Sequence, residues 1–303
     1  MVYSVSMVIG IKGQFAEDRI PAISFTADPQ SRQTEYMYGV APDYNVEGEY
    51  LITYLVKDWW ETKGMTRPIK IGVLSQPSSA TTEAFWGGFD LGIAANPGKC
   101  EVERVTAPMT QTAFVSEVAT LSDNDVIIIT IPGTPGPLFM KEALQRGYQG
   151  RFVSSSASLL GVWTLTQSLL TPEQLDGLIV PHSWALWEDD NEFVTQMASA
   201  LEEHRGADAA SLKKGTTWET GWTTAYIVAS ILRQAADAVG AENVNGEAIR
   251  DAIEEMALEI PGFKTIGLAA SGGFNILQPY YRMVEYKAAD DSFHAMSDWF
   301  TVA

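Results

Sequence analysis

Hydroxyl side chains and glycines recur in the segments that follow the predicted strands, at residues 24–28, 75–79, 131–134 and 154–158. A fifth such segment, 182–187, carries Trp184 and Trp187. In an open parallel sheet, ligands bind outside the carboxyl ends of the strands. Hydroxyls and free N–H groups at helix N-termini suit a carboxylate or another anionic group, and the two indoles could form an apolar wall. The pattern therefore predicts a ligand site.

A plainer interpretation exists for each of these side chains. A single Ser or Thr at such a position more often caps a helix, and a tryptophan more often packs in the core or at its rim. The candidate ligand contacts are drawn from these segments and from the chain's first residues: Tyr3, Ser4, Thr26, Ala27, Ser78, Ser79, Gly133, Ser156 and Trp184.

Catalytic motifs are not found in this sequence. It contains no nucleophile elbow, phosphate-binding loop, dinucleotide fingerprint or zinc-protease motif. His182 follows a predicted strand near Asp189 and Asp190 and could be imagined as a base, although a structural histidine is the stronger interpretation. We therefore predict no enzyme activity, no cofactor and no metal site.

Composition narrows the class of protein further. The net charge of −18 argues against nucleic-acid binding, which needs a basic patch. Cys100 is the sole cysteine, so an intramolecular disulfide is impossible. No apolar run approaches the ~20 residues that a membrane-spanning helix needs. The first residues also lack the basic and apolar regions of a signal peptide.

Predicted strands and helices alternate regularly along the chain, and these elements must position the candidate residues. Strands are predicted at 69–74, 101–106, 125–131, 151–155 and 178–181, each followed by a helix except where the chain enters its last third. The run 125–131 is β-branched and almost wholly apolar, as in a strand buried on both faces of a parallel sheet. Ser79 and Thr134 are predicted to be helix N-caps. The fold class is α/β, with doubly wound sheets.

Long amphipathic helices follow at 191–204 and 218–239, and an antiparallel strand at 279–287. The chain opens on a predicted helix at 3–16 with one strand, 21–25, behind it. A doubly wound lobe does not normally begin this way, so we expect a segment to be missing upstream.

Several segments resemble type I periplasmic binding proteins, and above all the leucine/isoleucine/valine-binding-like components of branched-chain amino acid ABC importers. The run 18–29 (DRIPAISFTADP) is similar to a family segment with the pattern IPxIS. Segments 38–44, 69–74, 124–128, 139–148 and 222–226 follow in family order, so the resemblance covers residues 1–303.

The resemblance implies two Rossmann-like lobes joined by a three-segment hinge, with a solute held in the cleft between them. Lobe one would comprise 1–42 and 185–278, and would be incomplete because family members begin with further βα units. Lobe two would comprise 43–184 and 279–303. It also implies a monomer that partners a small solute and the permease subunits of an ABC importer, in the periplasm or another extracytoplasmic location, with its export signal absent from this chain.

The resemblance also assigns positions in the cleft. Thr26 and Ala27 match lobe-one positions that contact a ligand carboxylate, and Tyr3 and Ser4 would lie nearby. The family's stacking tyrosine falls at Ser79 and its ammonium-binding acid at about Ser156. Because a buried ammonium without a charge partner is costly, we expect the ligand to depart from a standard α-amino acid; a carboxylate or neutral solute is as plausible.

Three other classes of function stay open on the sequence. The same fold serves as the ligand-sensing domain of receptors and regulators, although no attached module is evident. An enzyme built on a doubly wound sheet is a further alternative, against which the missing motifs weigh. The third alternative is that the chain is a fragment without a function of its own.

Overall fold

The computed structural model describes residues 5–24, 34–260, 264, 266–268 and 275–300. Two lobes are apparent in it. The first half of the chain contains eleven of the assigned elements, which are α1 (Val5–Asp18), β1 (Ala22–Ser24), β2 (Met37–Gly39), α2 (Tyr44–Tyr54), β3 (Ile69–Ser75), α3 (Ala80–Ala95), β4 (Cys100–Thr106), α4 (Val115–Leu121), β5 (Val126–Ile129), α5 (Pro135–Gln145) and β6 (Arg151–Ser154). The α-helices and strands of the second half are α6 (Trp163–Leu169), α7 (Pro172–Leu175), β7 (Ile179–His182), α8 (Glu192–Arg205), α9 (Ala209–Leu212), α10 (Thr217–Val239), α11 (Gly246–Glu255), β8 (Arg282–Lys287) and β9 (Ser292–Ala295).

The larger lobe, called here the sheet lobe, is built on one seven-stranded sheet in the order β4-β3-β5-β6-β7-β8-β9. Its first five strands are parallel, while β8 and β9 add antiparallel at the edge. Along β5, Val126 and Ile128 pack in one core with α2 and α3, and Ile127 and Ile129 pack in the other with α4 and α5. This burial on both faces confirms the doubly wound prediction.

The smaller lobe, called here the helical lobe, contains α8, α10 and α11 around a core that includes Phe193, Ile227 and Ile253. The short parallel pair β1-β2 lies beside them. Tyr38 and Val40 on and after β2 join the same core. The chain passes between the lobes three times, through the crossovers 40–43, 183–187 and 277–281.

Helices α2 and α3 approach each other more closely than bulky side chains allow. A Cβ atom on Gly88 would lie 2.0 Å from the carbonyl oxygen of Asn45, and one on Gly92 would lie 2.7 Å from Ile52 Cβ. Gly48 on α2 makes a comparable approach to α3, where an added Cβ would lie 2.6 Å from Phe85 O. Glycine at these positions lets the two backbones touch and seals one face of the sheet.

Among the predicted helix caps and helix boundaries, some are confirmed by the structure and others are wrong. Ser79 caps α3 as predicted, since its Oγ accepts from Thr82 N at 3.1 Å. Thr134 was expected to cap α5, but this was wrong: its backbone is already helical and its side chain makes no capping hydrogen bond. The apolar spacing of residues 44–61 predicts one continuous α-helix, which is corrected here, because the α-helix ends at Tyr54 and the chain continues as a π-helical turn over Leu55–Trp60.

Candidate functional site

A cavity of about 280 Å³ lies where the two lobes and the three crossovers meet. The sheet lobe contributes Tyr44 and Ser156, and the helical lobe contributes the first turns of α10, including Thr220. Trp184 and Tyr281 belong to the crossovers. Ligand pockets in proteins typically measure about 300–1,000 Å³, so this space suits a small molecule.

The sheet-lobe wall is fixed by the first turn of α2. Asp43 caps this helix, because its Oδ1 accepts from Asn45 N at 2.8 Å and Val46 N at 3.0 Å. The cap sets the direction in which α2 enters, and places Tyr44 at the cavity and Glu47 one turn further on. Ser156 follows β6 at the carboxyl edge of the sheet, where parallel-sheet proteins bind ligands.

Glu47 is fully buried behind this wall and is bonded to two residues that line the cavity. Its Oε1 accepts from Ser156 N at 2.8 Å, while its Oε2 accepts from Ser156 Oγ at 2.6 Å and from the Tyr281 hydroxyl at 3.0 Å. Burial raises the pKa of Glu47 to about 7, although these hydrogen bonds work in the opposite direction. The neighbouring Asp43 carboxylate adds to the rise in pKa.

The helical-lobe wall is formed by the N-terminus of α10. Thr216 precedes the helix and makes no side-chain capping bond, and Thr216, Thr217 and Thr220 all line the cavity. The Thr220 hydroxyl donates to the Thr216 carbonyl at 2.7 Å, which leaves its lone pairs available. This wall therefore offers hydroxyl oxygens together with the positive end of a long helix dipole.

Glu219, in the first turn of α10, is a second buried carboxyl group near the cavity. Among the described residues, neither of its Oε atoms has a hydrogen-bond partner, and the nearby Trp187 indole donates to Gly215 O at 3.4 Å. Burial raises the pKa of Glu219 well above its usual range, and the charges of Glu188 and Asp189 raise it further. Glu219 is therefore a buried polar group without a hydrogen-bond partner among the described residues, and its burial favours the neutral form of the carboxyl group.

Replacing Glu219 by methionine is expected to raise the free energy of unfolding by about 1–3 kcal/mol, since an unpaired buried polar group costs that much. A carboxyl with a raised pKa destabilises the folded state increasingly as pH rises above the unfolded-state value. The gain measured by urea unfolding should therefore be larger at about pH 8 than at about pH 5. Equal stabilities of the variant and the wild type at both pH values would contradict this account.

Hydrogen bonds between the crossovers hold the floor of the cavity together. Gln278 Nε2 donates to Ser183 O at 2.6 Å, and the Tyr281 hydroxyl lies 3.2 Å from Pro42 O. Arg282 forms a two-pronged ion pair with Asp189, at 2.8 and 2.5 Å, and also stacks on the Trp299 ring. The three crossovers thus share one polar network, which couples them mechanically.

His182 lines the cavity, but it is buried, and its contacts indicate a structural role. Its Nε2 lies 3.2 Å from Ala185 O, within the hydrogen-bond range. Burial, with a contribution from the Arg282 charge, lowers the pKa of His182 to about 3. The ring is neutral at physiological pH, so the idea of a His182 base with Asp189 gains no support, because Asp189 is paired with Arg282.

The residues predicted from the sequence are found in three different places. Ser156 and Trp184 line the cavity. Ser78, Ser79 and Gly133 are not among the residues that line it, and Ser79 acts as a helix cap. The remaining four, Tyr3, Ser4, Thr26 and Ala27, lie outside the described residues. The role of all nine as ligand contacts stays a prediction.

Sequence reasoning missed Glu47, Tyr281 and Thr220. Glu47 could have been found, because it falls on the apolar stripe of α2, three residues after Tyr44 and four before Leu51. A carboxyl group in such a stripe is either paired or functional. Tyr281 and Thr220 lie in segments distant in sequence from α2, so no local pattern connected them to the cavity.

Among the residues described, no helix combines the length and the apolar character needed to cross a bilayer. The same residues bring together no group of three or more His, Cys, Asp or Glu side chains able to hold a metal ion. No arginine or lysine lines the described part of the cavity. Its described surface is therefore uncharged, aromatic and rich in hydroxyls.

Comparisons with known proteins agree with this architecture. A family model described as periplasmic binding protein matches residues 3–291. A search of curated proteins gave no match.

Solved structures with similar folds include three substrate-binding proteins or transporters. A branched-chain amino acid ABC transporter from Thermus thermophilus with bound valine is 14% identical, with a TM-score of 0.76 over 99% of this chain and 77% of that one. A fatty acid ABC transporter substrate-binding protein from Thermomonospora curvata is 16% identical, with a TM-score of 0.75 over 99% and 74%. A solute binding protein from R. palustris in complex with benzoate is 15% identical, with a TM-score of 0.73 over 97% and 76%.

Proposed function

Since this chain belongs to the periplasmic binding protein family, we propose that it is the extracytoplasmic solute-binding component of an ABC importer. The observation that carries the proposal is the cavity at the meeting point of the two lobes, lined by residues of all three crossovers. A solute seated there would contact both lobes at once. Closure of two lobes about a hinge is a common response to such a ligand.

The proposed solute is a small organic molecule with an apolar portion. Tyr44, Trp184 and Tyr281 offer aromatic surface, while Ser156 and Thr220 offer hydroxyls. Structurally similar proteins include one with bound valine, the substrate-binding protein of a fatty acid ABC transporter and one in complex with benzoate. An amino acid, a related carboxylate or an amide is therefore the class to test first.

The division into lobe one, 1–42 with 185–278, and lobe two, 43–184 with 279–303, is part of this proposal. The arrangement of the crossovers supports it, since the chain changes lobe near each boundary. We further propose that the protein acts as a monomer, delivers its solute to permease subunits and has no enzyme activity.

A thermal-shift screen against amino acids, small carboxylates and amides tests the binding function. A ligand at 100 times its dissociation constant stabilises a protein by about 2.7 kcal/mol, which raises the melting temperature by several degrees. Thr220→Val should weaken the shift produced by a positive compound, because it removes a cavity hydroxyl. Because we propose no enzyme activity, mass spectrometry after incubation with the protein should recover that compound unchanged.

Thr120→Val is the matched control. Thr120 lies on the exposed face of α4 and, like Thr220, donates its hydroxyl to the carbonyl four residues earlier. The control should leave the ligand-induced shift as it is in the wild type. If no compound in the screen shifts the melting temperature of the folded protein, the solute-binding proposal is wrong.

A further inference from the structure

The Glu47 carboxyl group determines which way the hydrogen bonds of the cavity wall point. It lies behind Ser156 and Tyr281 and receives three hydrogen bonds from them. The separation of 2.6 Å between Ser156 Oγ and Glu47 Oε2 is typical of a hydroxyl bonded to an ionised carboxylate. An ionised carboxylate only accepts hydrogen bonds, so both hydroxyl protons are directed away from the cavity.

These hydrogen bonds determine which hydrogen-bonding groups of Ser156 and Tyr281 remain available to a ligand. A hydroxyl has one proton and two lone pairs. Glu47 engages the protons of Ser156 and Tyr281, and Pro42 O is also in reach of Tyr281, so at these two residues a molecule in the cavity meets only lone pairs. A carboxylate against this wall would set acceptor against acceptor, and no described cation lines the cavity to compensate.

We propose that Glu47 is a specificity-determining residue, which selects ligands that place a hydrogen-bond donor against Ser156 and Tyr281. Suitable donors are an ammonium, an amide NH₂ or a hydroxyl group. This inference rests on the proposed solute-binding function and narrows it. A ligand that also carries a carboxylate would direct it elsewhere, for example toward the first turn of α10.

The direction of these bonds depends on the protonation of Glu47. A protonated carboxyl would donate to Ser156 Oγ and free the serine proton for a ligand, so the wall would then accept carboxylates. The other titratable groups that face Glu47 are Asp43, which raises its pKa, and Tyr281; Tyr44 and His182 line the same cavity. His182 is neutral throughout the relevant range, since its pKa is about 3. The switch should therefore follow Glu47, whose pKa is about 7.

The test measures dissociation constants by ligand-observed NMR for two probe series, each on one carbon skeleton. The first is isoamylamine, isovaleramide, isoamyl alcohol and isovalerate, and the second is benzylamine, benzamide, benzyl alcohol and benzoate. At about pH 8 we expect the best donor probe to bind at least about tenfold tighter than the matching carboxylate, since an unpaired buried acceptor costs about 1–3 kcal/mol. The preference should shrink at about pH 6, where Glu47 is mostly protonated.

Glu47→Gln should remove most of the preference at both pH values, because the glutamine NH₂ donates to Ser156 Oγ and releases its proton toward the ligand. Glu49→Gln, the same change on the same helix but away from the cavity lining, should leave the preference intact. Ser156→Ala removes the acceptor, and with it one of the three hydrogen bonds to Glu47, while the Glu47 side chain itself is kept. It should also weaken the preference, which keeps the test valid if Glu47→Gln fails to fold.

The proposal is overturned if the wild type binds the carboxylates as tightly as the donor probes. It is also overturned if Glu47→Gln and Ser156→Ala both keep the wild-type preference and pH profile. In either case binding itself would persist, so the solute-binding function would stand. If none of the eight probes or the screened solutes binds, that function falls and this assignment falls with it.

Discussion

Replacing Arg282 by methionine is expected to lower the free energy of unfolding by about 3–5 kcal/mol, because removing one partner of a buried ion pair leaves the other charge uncompensated. The Arg282 side chain is 7% exposed and that of Asp189 is 18% exposed. Asp189 keeps one bond from Leu186 N at 2.8 Å, which places the expected loss toward the lower end of that range. Urea unfolding of both proteins at neutral pH measures the difference.

Arg205→Met provides the control for the loss of a charged side chain. Arg205 pairs with Asp208 on the surface, where the two side chains are 48% and 68% exposed. Such pairs contribute about 0–1 kcal/mol. A second variant, in which Asp189→Leu is combined with Arg282→Met, should recover much of the lost stability, since no isolated charge remains buried. A loss of under about 1 kcal/mol for Arg282→Met would show that the pair does not form.

Replacing Gly88 by alanine is expected to cost about 3 kcal/mol, at the upper end of the usual range for overpacking. The added methyl group would lie 2.0 Å from Asn45 O and 2.8 Å from Glu49 N, so backbone atoms rather than flexible side chains would have to move. The change would push α2 away from α3, and with it Glu47 away from Ser156. Calorimetry or urea unfolding measures the loss.

Gly13→Ala is the matched control for this substitution. Gly13 lies in α1, and a Cβ atom there would have nothing within 4 Å. Alanine is favoured over glycine in a helix by up to about 1 kcal/mol, so this variant should be as stable as the wild type or more so. A Gly88→Ala protein with the same stability as Gly13→Ala would mean that the helices can separate without cost.

The sheet of the larger lobe could be predicted because its signal is local. The apolar, β-branched run at Val126–Ile129 predicts a strand buried on both faces, whatever lies elsewhere in the chain. Ser79 could be identified as a cap for the same reason, since the residues that it serves are its immediate neighbours. Thr134 has the same local signature, but the chain is already helical there, so its hydroxyl is not needed.

The cavity could be predicted only in part, because its walls come from distant segments. Ser156 was found from its place after a strand. That its hydroxyl is bonded to Glu47, 109 positions away, depends on how α2 packs, which no short pattern records. The same applies to Tyr281, which is 234 positions from Glu47. The π-helical turn after Tyr54 was likewise hidden, because its residues keep a helical spacing.

The order of strands in the sheet has a consequence for biosynthesis. Strands β3 to β7 lie within residues 69–182, but the neighbour of β7 is β8, which begins at Arg282. A ribosome adds about 5–20 residues per second, so roughly 5–20 seconds pass between the emergence of β7 and that of its partner. During this interval the apolar edge Ile179–His182 is exposed, and unpaired edges of this kind invite aggregation. The nascent chain is therefore expected to need a chaperone until its last strands have emerged.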